Sequence, residues 1–255
     1  MRKLLALLRV LPPELAHSAA LNSLKVLHKL KLISLFFPYK SSYTPFYFKG
    51  LEFKNKLGLA AGLDKNGDFI ESLGALGFGF IEVGTITPKP QFGNPKPRIF
   101  RFPNQEAIVN SLGFNNKGVD YLVKRVKKRK YDGVLGINIG ANKDSVGQKR
   151  IEDYIECFYK VAEYADYITV NISSPNTPNL RSLHSKKNFL PLFEAIKKVR
   201  EEEKFSNPIF IKLSPDENAH TISEITQAIK EFNFDGVIAS NTTVEKTDLI
   251  FPTNM

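Results

Sequence analysis

The sequence predicts an α/β protein built on a (β/α)8 barrel of the TIM type. Short apolar runs alternate with amphipathic helical patterns from about residue 57 to residue 240, which is typical of a parallel sheet with covered faces. Polar residues follow nearly every predicted strand. In a barrel these strand ends converge on one mouth, whereas an open sheet spreads them along an edge. No G-x-G-x-x-G pattern follows the first predicted strand, which counts against a dinucleotide-binding doubly wound fold.

The composition fits one large domain, or a domain with an appendage. The chain has 255 residues and 42% hydrophobic content, enough for a buried core. Lys and Arg exceed Asp and Glu by 36 − 26 = 10, a surplus that suits nucleic acid, an anionic membrane surface or an acidic metabolite. The single cysteine, Cys157, excludes an internal disulfide framework and a cysteine-rich metal site, so we expect no metal. No apolar run is long enough to predict a membrane span.

The first forty residues differ in character from the rest. Residues 1–8 resemble the start of a signal peptide, but Arg9 interrupts the apolar run and no cleavage site follows. Across residues 13–37, apolar residues recur at three- and four-residue spacing with lysines between them. This pattern predicts a pair of amphipathic helices whose apolar face packs either on lipid or on its own domain. We therefore divide the chain into a helical extension, residues 1–40, and a barrel part, residues 41–255.

The barrel part is predicted to open with a β-hairpin around Lys49-Gly50 and then to alternate strands and helices. The predicted strands are residues 57–62, 80–84, 133–139, 167–170, 208–213 and 236–240. The predicted helices lie within residues 68–76, 119–126, 151–158, 192–199 and 221–232. The last helix is predicted to begin at Thr221, because Glu224 completes capping-box spacing.

The polar residues at the strand ends are the candidate functional residues. In residues 171–178, short polar side chains crowd around two prolines directly after a buried strand, which predicts a stiff polar loop. The other predicted strand ends carry Asp64, Lys65, Thr85, Asn138, Lys212, Asn241 and Thr242. On a barrel, all of these side chains face the mouth where enzymes of this fold carry out their chemistry.

Seven motifs at these strand ends carry a resemblance to a known family. They are Ala60-Ala-Gly-Leu-Asp-Lys65, Val83-Gly-Thr-Ile-Thr-Pro88, Pro97-Arg-Ile-Phe-Arg101, Asn110-Ser-Leu-Gly-Phe-Asn-Asn116, Gly136-Ile-Asn-Ile-Gly140, Asn171-Ile-Ser-Ser-Pro-Asn-Thr-Pro178 and Asn241-Thr-Thr243. In this order they resemble dihydroorotate dehydrogenase, from about residue 13 to the end of the chain. Ser174 stands where the soluble class has a cysteine. Residues 11–17 look like the start of the helical extension in the membrane-associated, quinone-dependent class (class 2).

The resemblance implies oxidation of dihydroorotate to orotate in pyrimidine (UMP) biosynthesis, with FMN as cofactor and a membrane quinone as electron acceptor. It implies that Ser174 is the catalytic base, with Thr177 and Phe114 beside its proton route. The implied substrate-binding residues are Lys65, Asn110, Ser111, Leu112, Gly113, Phe114, Asn171, Asn176, Asn241 and Thr242. The implied cofactor-binding residues are Ala61, Gly62, Leu63, Asp64, Lys65, Thr85, Asn138, Asn171, Lys212 and Ser240. The implied quinone site consists of His17 and Arg101.

For the location, the resemblance implies a peripheral membrane protein. It is expected on the cytoplasmic side of the cell membrane, in contact with anionic lipid, and without a nucleic-acid partner. The family continues through two further strands whose loops hold the flavin phosphate. We therefore expect this chain to be C-terminally truncated, with an incomplete barrel of about six β/α units.

Three alternatives stay open at the level of sequence. One is another FMN barrel acting on a pyrimidine, either of the class 1 type or a dihydrouridine synthase that would use the basic charge on RNA. The usual cysteine of that synthase is not at a strand end, because Cys157 lies within a predicted helix. The second is a nucleic-acid-binding module that uses the basic run at residues 124–130, although no aromatic residue interleaves it for base stacking. The third is an inactive fragment.

Overall fold

The computed structural model describes residues 10–37, 44–176 and 180–245. Its N-terminal part is a helix pair, α1 (Pro13–Lys29) and α2 (Ile33–Phe36), as the apolar spacing predicts. Pro13 takes the first helical position of α1, where its missing N–H leaves no helical hydrogen bond unmade. The signal-like start, residues 1–8, lies outside the described residues.

The α1 helix packs on the domain through only part of its apolar residues. Ala16, Leu21 and Leu24 are buried, whereas Leu15 is 55% exposed and Val26 is 54% exposed. Because each residue of an α-helix is rotated by about 100° from the one before it, these two sets of residues lie on different sides of the helix. The helix therefore has one apolar side against the domain and a second apolar side toward solvent.

The strands, in chain order, are β1 (Phe46–Phe48), β2 (Leu51–Phe53), β3 (Gly58–Leu59), β4 (Phe80–Ile86), β5 (Ile99–Phe102), β6 (Ala107–Asn110), β7 (Val134–Ile139), β8 (Tyr167–Asn171), β9 (Ile209–Lys212) and β10 (Gly236–Ile238). The antiparallel pair β1–β2 is the predicted hairpin, and Lys49 and Gly50 at its turn both have positive φ. Each of the predicted strands is present, although the first is shortened to the two residues of β3.

The main sheet has the strand order of a barrel. Its order is β3-β4-β7-β8-β9-β10, and every neighbouring pair is parallel. In a doubly wound sheet the order of the strands reverses at a switch point. In this sheet the strands follow one another in chain order from one edge to the other. The sheet is also curved, because Glu82 on β4 bonds to Tyr167 and Thr169 on β8, across the intervening β7. The predicted α/β-barrel fold class is confirmed, with β3 and β10 as the two edges of the described sheet.

Helices cover the convex face of the sheet. They are α3 (Ile70–Gly74), α4 (Val119–Val126), α5 (Gln148–Val161), α6 (Lys186–Glu202) and α7 (Ala219–Glu231). The predicted start of the last helix is wrong: α7 begins at Ala219, and Asn218 caps it by accepting a hydrogen bond from the Thr221 amide at 2.8 Å. Asparagine caps a helix at least as well as threonine, so the earlier residue takes the cap and Thr221 lies in the first turn.

A second antiparallel hairpin, β5–β6, is absent from the sequence prediction. It follows β4, and a short 3₁₀ turn at Pro103–Gln105 joins its strands. Arg101 on β5 donates from Nη1 to the Leu11 carbonyl at 2.9 Å. The hairpin therefore reaches out from the sheet to the start of α1.

The basic run and the cysteine both have local roles. Arg125 pairs with Asp68 at 3.3 Å, and Arg129 pairs with Asp166 at 3.0 Å. Cys157 is fully buried in α5, as expected of a structural thiol, and burial raises its pKa well above the usual range. Across the described residues, we find no helix with the length and apolar content needed to cross a bilayer.

Candidate active site

The carboxyl ends of β4, β7 and β8 carry a buried chain of hydrogen bonds. Thr85 Oγ1 donates to Asn138 Oδ1 at 2.6 Å. Asn171 Nδ2 donates to Thr85 Oγ1 at 2.8 Å and to Asn138 Oδ1 at 3.2 Å. All three side chains are at most 5% exposed, so their hydrogen bonds are made in a setting where an unpaired polar group is costly. These three candidate residues, which are far apart in the sequence, form one cluster.

The same chain of hydrogen bonds continues to the loop after β10. Ser173 Oγ donates to Asn171 Oδ1 at 2.8 Å, and Asn241 Nδ2 donates to Ser173 Oγ at 3.0 Å. The Thr242 amide in turn donates to Asn241 Oδ1 at 2.8 Å. Asn171, Asn241 and Thr242 are therefore brought together, with Ser173 as the link. Ser173 is not among the site residues that the resemblance implies, because its neighbour Ser174 takes the place of the base.

Glu82 anchors this network from inside the sheet. Its carboxylate accepts hydrogen bonds from Asn138 Nδ2 at 2.8 Å, Tyr167 Oη at 3.0 Å and Thr169 Oγ1 at 3.1 Å. Burial and then the Glu82 charge raise the pKa of Tyr167 well above its usual range. Since Glu82 takes the amide nitrogen of Asn138, the amide oxygen is left for Thr85. The signal in the sequence was a carboxylate inside an otherwise apolar strand, which needs a polar partner.

The candidate base lies on a second, adjoining set of contacts. Ser174 is 4% exposed, and its Oγ accepts a hydrogen bond from the backbone N–H of Asn176 at 3.3 Å. Asn176 Nδ2 donates to Asn110 Oδ1 at 3.2 Å. The ring of buried Phe114 lies beside Gly140, at the side of Thr85. Thr177 lies outside the described residues.

The loop after β3 contains two charged candidates in different settings. Lys65 Nζ donates to the Gly62 carbonyl at 2.7 Å, and burial together with the nearby Arg98 charge lowers the pKa of Lys65 to about 8. Burial raises the pKa of Asp64, whose carboxylate accepts the amides of Asp68 and Phe69 at 2.9 and 2.7 Å. The Asp64 side chain therefore caps the turn that leads into α3, so it offers a ligand its backbone and not a free carboxylate.

Lys212 and Ser240 lie at the ends of β9 and β10. Lys212 is 7% exposed, and among the described residues its Nζ makes no hydrogen bond and no ion pair. It lines a largely apolar cavity of about 450 Å³ together with Ala60, Ala239 and Glu82. Its ammonium group is therefore available to a ligand, whereas the exposed Ser240 donates from Oγ to the Asn241 carbonyl at 3.0 Å.

A larger cavity, of about 1090 Å³, lies between α1 and the barrel mouth. His17 and Arg101 line it, and so do Lys65 and Asn110. Burial and the Lys65 charge lower the pKa of His17, against a smaller opposing effect of Glu14. The two residues implied for the quinone site thus share one cavity with two residues implied for the substrate site. The remaining implied residues on its wall are Gly62, Leu63 and Leu112.

A parallel sheet in barrel order, with polar side chains gathered at its carboxyl ends and cavities beside them, defines an α/β-barrel enzyme. The sequence profile of the family described as dihydroorotate dehydrogenase matches residues 45–253. The chain belongs to the dihydroorotate dehydrogenase family, as the seven motifs predict.

Relatives and solved structures agree with this assignment. The chain is 48% identical over 241 residues to a dihydroorotate dehydrogenase (quinone) of Saccharophagus degradans, and the alignment covers 92% of this chain and 70% of that protein. It is 50% identical over 238 residues to the protein of the same name from Cellvibrio japonicus, covering 92% and 69%. The crystal structure of DHODH from Eimeria tenella in complex with ferulenol matches with a TM-score of 0.80 at 35% identity, covering 92% of this chain and 68% of that one.

The family is flavin-dependent, and two features of this structure fit a flavin ring. Lys212 supplies a buried cation that makes no hydrogen bond among the described residues, as the electron-rich edge of a flavin requires. At Gly62, which has φ of 114°, an added Cβ would meet no atom within 4 Å. The backbone face there is open to close approach by a flat ring. The residues present therefore fit the group.

Proposed function

We propose that this chain acts as a quinone-dependent dihydroorotate dehydrogenase, which oxidises dihydroorotate to orotate in pyrimidine biosynthesis and delivers the electrons to a membrane quinone. The observation that carries the proposal is the cavity of about 1090 Å³ that His17 and Arg101 line together with Lys65 and Asn110. The residues implied for the electron acceptor and those implied for the substrate therefore share one space. The names of the relatives favour this function over a dihydrouridine synthase or a nucleic-acid-binding module.

On the substrate side, Ser174 removes a proton from C5 of dihydroorotate while hydride leaves from C6. Its low exposure keeps water away, which strengthens a hydroxyl that is a weak base in bulk solvent. We assign Phe114 and Thr177 to the route by which the proton leaves. The substrate's carboxylate, amides and carbonyls bind neutral side chains that donate and accept. The residues proposed for this are Asn110, Asn171, Asn176 and Asn241, with Ser111, Leu112, Gly113, Thr242 and Lys65 around them.

On the cofactor side, the proposed group is FMN, which when bound supplies the two-electron acceptor. Lys212 places its positive charge where negative charge grows on reduction. Thr85 and Asn138 are proposed to lie beside the flavin, in positions that their mutual hydrogen bond and the bond of Asn138 to Glu82 already fix. The other residues proposed to hold FMN are Ala61, Gly62, Leu63, Asp64, Lys65, Asn171 and Ser240.

On the quinone side, α1 and α2 form the proposed approach from the membrane. Leu35 is 73% exposed and Phe36 is 49% exposed, so their apolar surface suits the acyl boundary of a bilayer. Lys29 and Lys31 are exposed beside them and suit anionic headgroups. Lys25 differs from these, because its Nζ donates to the Asp68 carbonyl at 2.9 Å. We assign the chain a peripheral location on the cytoplasmic face of the cell membrane, with residues 1–40 as the extension and 41–255 as the FMN-binding barrel part.

The test separates the two half-reactions. The purified, flavin-loaded protein is given dihydroorotate and a soluble quinone analogue, and orotate formation is compared with the rate at which dihydroorotate alone reduces the flavin. His17→Ala is expected to lower quinone-dependent turnover at least tenfold and to leave flavin reduction unchanged. Val146→Ala, at an exposed position outside the proposed site, serves as the control. Flavin reduction by NADH or by dihydrouridine in RNA, with none by dihydroorotate, would replace this function with an alternative.

A further inference from the structure

Asn94 joins the two loops that carry the proposed substrate-binding residues. Its Nδ2 group has two N–H donors, and they go to different loops: one to the Ser111 carbonyl at 2.9 Å and one to the Asn176 carbonyl at 3.3 Å. Ser111 follows β6, whereas Asn176 belongs to the loop after β8. A primary amide can bridge two carbonyls in this way, which neither a carboxylate nor a hydroxyl can do.

Asn94 is itself held on three sides. The backbone N–H of Asn94 donates to the Leu112 carbonyl at 3.1 Å, and Arg98 Nη1 donates to the backbone carbonyl of Asn94 at 3.0 Å. Gly113, at φ of 66°, lies so close to the Asn94 amide that an added Cβ would sit 2.9 Å from Asn94 Cγ. A side chain at Gly113 would therefore displace the Asn94 side chain. The backbone of Asn94 is therefore already tied to the loop of Ser111, and its side chain adds the contact to the loop of Asn176.

The contacts beyond Asn94 lead directly to the proposed base. Asn94 bonds to the backbone carbonyl of Asn176. Asn176 in turn donates from its backbone N–H to Ser174 Oγ at 3.3 Å and from Nδ2 to Asn110 Oδ1 at 3.2 Å. A shift of the Asn176 backbone would consequently move the hydroxyl of Ser174 and the amide of Asn110 relative to each other. Displacements of about 1 Å at reacting groups cost on the order of 100-fold in rate.

We infer that Asn94 is a positioning residue, which holds the loop of Ser174 against the loop of Asn110 and so sets the geometry between base and substrate. This inference rests on the proposed function for its effect on rate, but its effect on the two loops does not depend on that function. Asn94 acts through Asn176 and Ser111, and it touches neither substrate nor cofactor. Its loss should therefore lower the rate of the chemical step more than the affinity for substrate.

The test compares three variants of the flavin-loaded protein. Asn94→Ala removes both donors, and Asn94→Asp keeps the shape but replaces the donors with a carboxylate facing two carbonyls. Asn207→Ala is the matched control, because Asn207 Nδ2 also donates to a backbone carbonyl, that of Ala165 at 3.0 Å, at the opposite end of the sheet. Three quantities are measured: the rate of flavin reduction at saturating dihydroorotate, the KM for dihydroorotate, and the hydrogen-exchange rates of the backbone amides of Ser111 and Asn176.

For Asn94→Ala we expect flavin reduction to slow 10- to 100-fold, KM to change less than threefold, and both amides to exchange at least tenfold faster. Asn94→Asp should be at least as impaired, and Asn207→Ala should match the unsubstituted protein in all three measurements. Exchange at Ser111 and Asn176 that stays unchanged in Asn94→Ala would overturn the inference. So would faster exchange with an unaltered rate of reduction. An unsubstituted protein that dihydroorotate does not reduce, but whose amides respond to Asn94→Ala, would instead overturn the proposed function and leave Asn94 as the tie between the loops.

Discussion

At the scale of one residue, Glu82 shows how a buried side chain within a strand can orient the polar residues at the barrel mouth. Its carboxylate serves three donors on two other strands. Glu82→Gln would replace one of the two carboxylate oxygens with an NH2 group, so the donors that now bond to that oxygen lose their acceptor. We expect the free energy of unfolding to fall by about 1–3 kcal/mol, since at least one buried donor is left unpaired. Chemical denaturation measures the change, and Glu201→Gln on the exposed side of α6 should be neutral. Equal stability of both variants would mean that the network adapts.

The lowered pKa of Lys65 predicts how the stability of the protein depends on pH. Its pKa is about 8, below the ordinary value of 10.5, because burial and Arg98 disfavour the charged form. Between these two pH values the unfolded chain binds more protons than the folded chain, so stability increases with pH across that window. Lys65→Met should raise the free energy of unfolding at pH 7 by on the order of 3 kcal/mol, and the gain should shrink toward zero near pH 10.5. Urea unfolding at pH 7 and pH 10 tests this. A gain that is equal at both pH values would show that the charge is not its cause.

Residues that the sequence did not reveal share one property, which is that their partners are distant along the chain. Glu82 and Tyr167 are 85 positions apart, and Asn94 and Asn176 are 82 positions apart. Motif spacing identified Asn171, Ser174 and Asn241 because such residues directly follow strands. It could not identify a side chain whose importance lies in a contact that only the folded sheet creates.

At the scale of the element, the buried Arg98, which directly precedes β5, ties α1 to the β5–β6 hairpin. Arg98 is 5% exposed, and its Nε and Nη2 both donate to Glu14 Oε1, at 3.0 and 2.8 Å. Burial raises the pKa of Glu14, but the hydrogen bonds and charge of Arg98 outweigh it and hold that pKa below its usual value. Because the folded-state pKa is lowered, this attachment is complete above about pH 4.5 and weakens as the pH falls through the folded-state pKa.

Two substitutions at this attachment should have different effects. Glu14→Gln loosens α1 and is expected to lower quinone-dependent turnover several-fold while flavin reduction by dihydroorotate continues. Arg98→Lys should impair both, because Arg98 also donates to the carbonyls of Phe92 and Asn94 and lysine lacks the planar fork. Lys96→Met is the control, since its pair with Glu14 is solvent-exposed at 3.5 Å and worth little. Identical defects in Glu14→Gln and Arg98→Lys would contradict this division of roles.

Element prediction succeeded where the signal was local and periodic. The apolar runs at β7 and β8 and the aromatic residues around Lys49-Gly50 each specify their element within a few positions. The β5–β6 hairpin was missed because its strands have only four residues each and partly exposed side chains, so neither shows a clear two-residue alternation. The hairpin region also contacts the start of α1 through Arg98 and Arg101, and no local sequence window contains these contacts.

At the scale of the whole molecule, the described sheet has two edges, β3 and β10. In (β/α)8 barrels the phosphate of a cofactor is generally bound by loops after the seventh and eighth strands, and the alignment covers 70% of the Saccharophagus degradans relative. We predict that a polypeptide of residues 1–255 retains more flavin when it is extended by the part of that relative that the alignment does not cover. Several charge-assisted hydrogen bonds of about 1.5–3 kcal/mol each should tighten binding by orders of magnitude. Flavin content after gel filtration measures this, and equal content in both proteins would show that residues 1–255 hold the cofactor unaided.

The most direct test of the account is a single turnover without oxygen or quinone. Flavin-loaded protein is mixed with dihydroorotate while the visible absorbance of the oxidised flavin and the formation of orotate are followed together. We predict that the absorbance bleaches with one orotate formed per flavin. Ser174→Ala, which removes the proposed base, should retain its flavin and bleach at least 1000-fold more slowly, within the range of losses for removing a general base. Bleaching of Ser174→Ala at the unsubstituted rate, or no bleaching of either protein by dihydroorotate, would contradict the account.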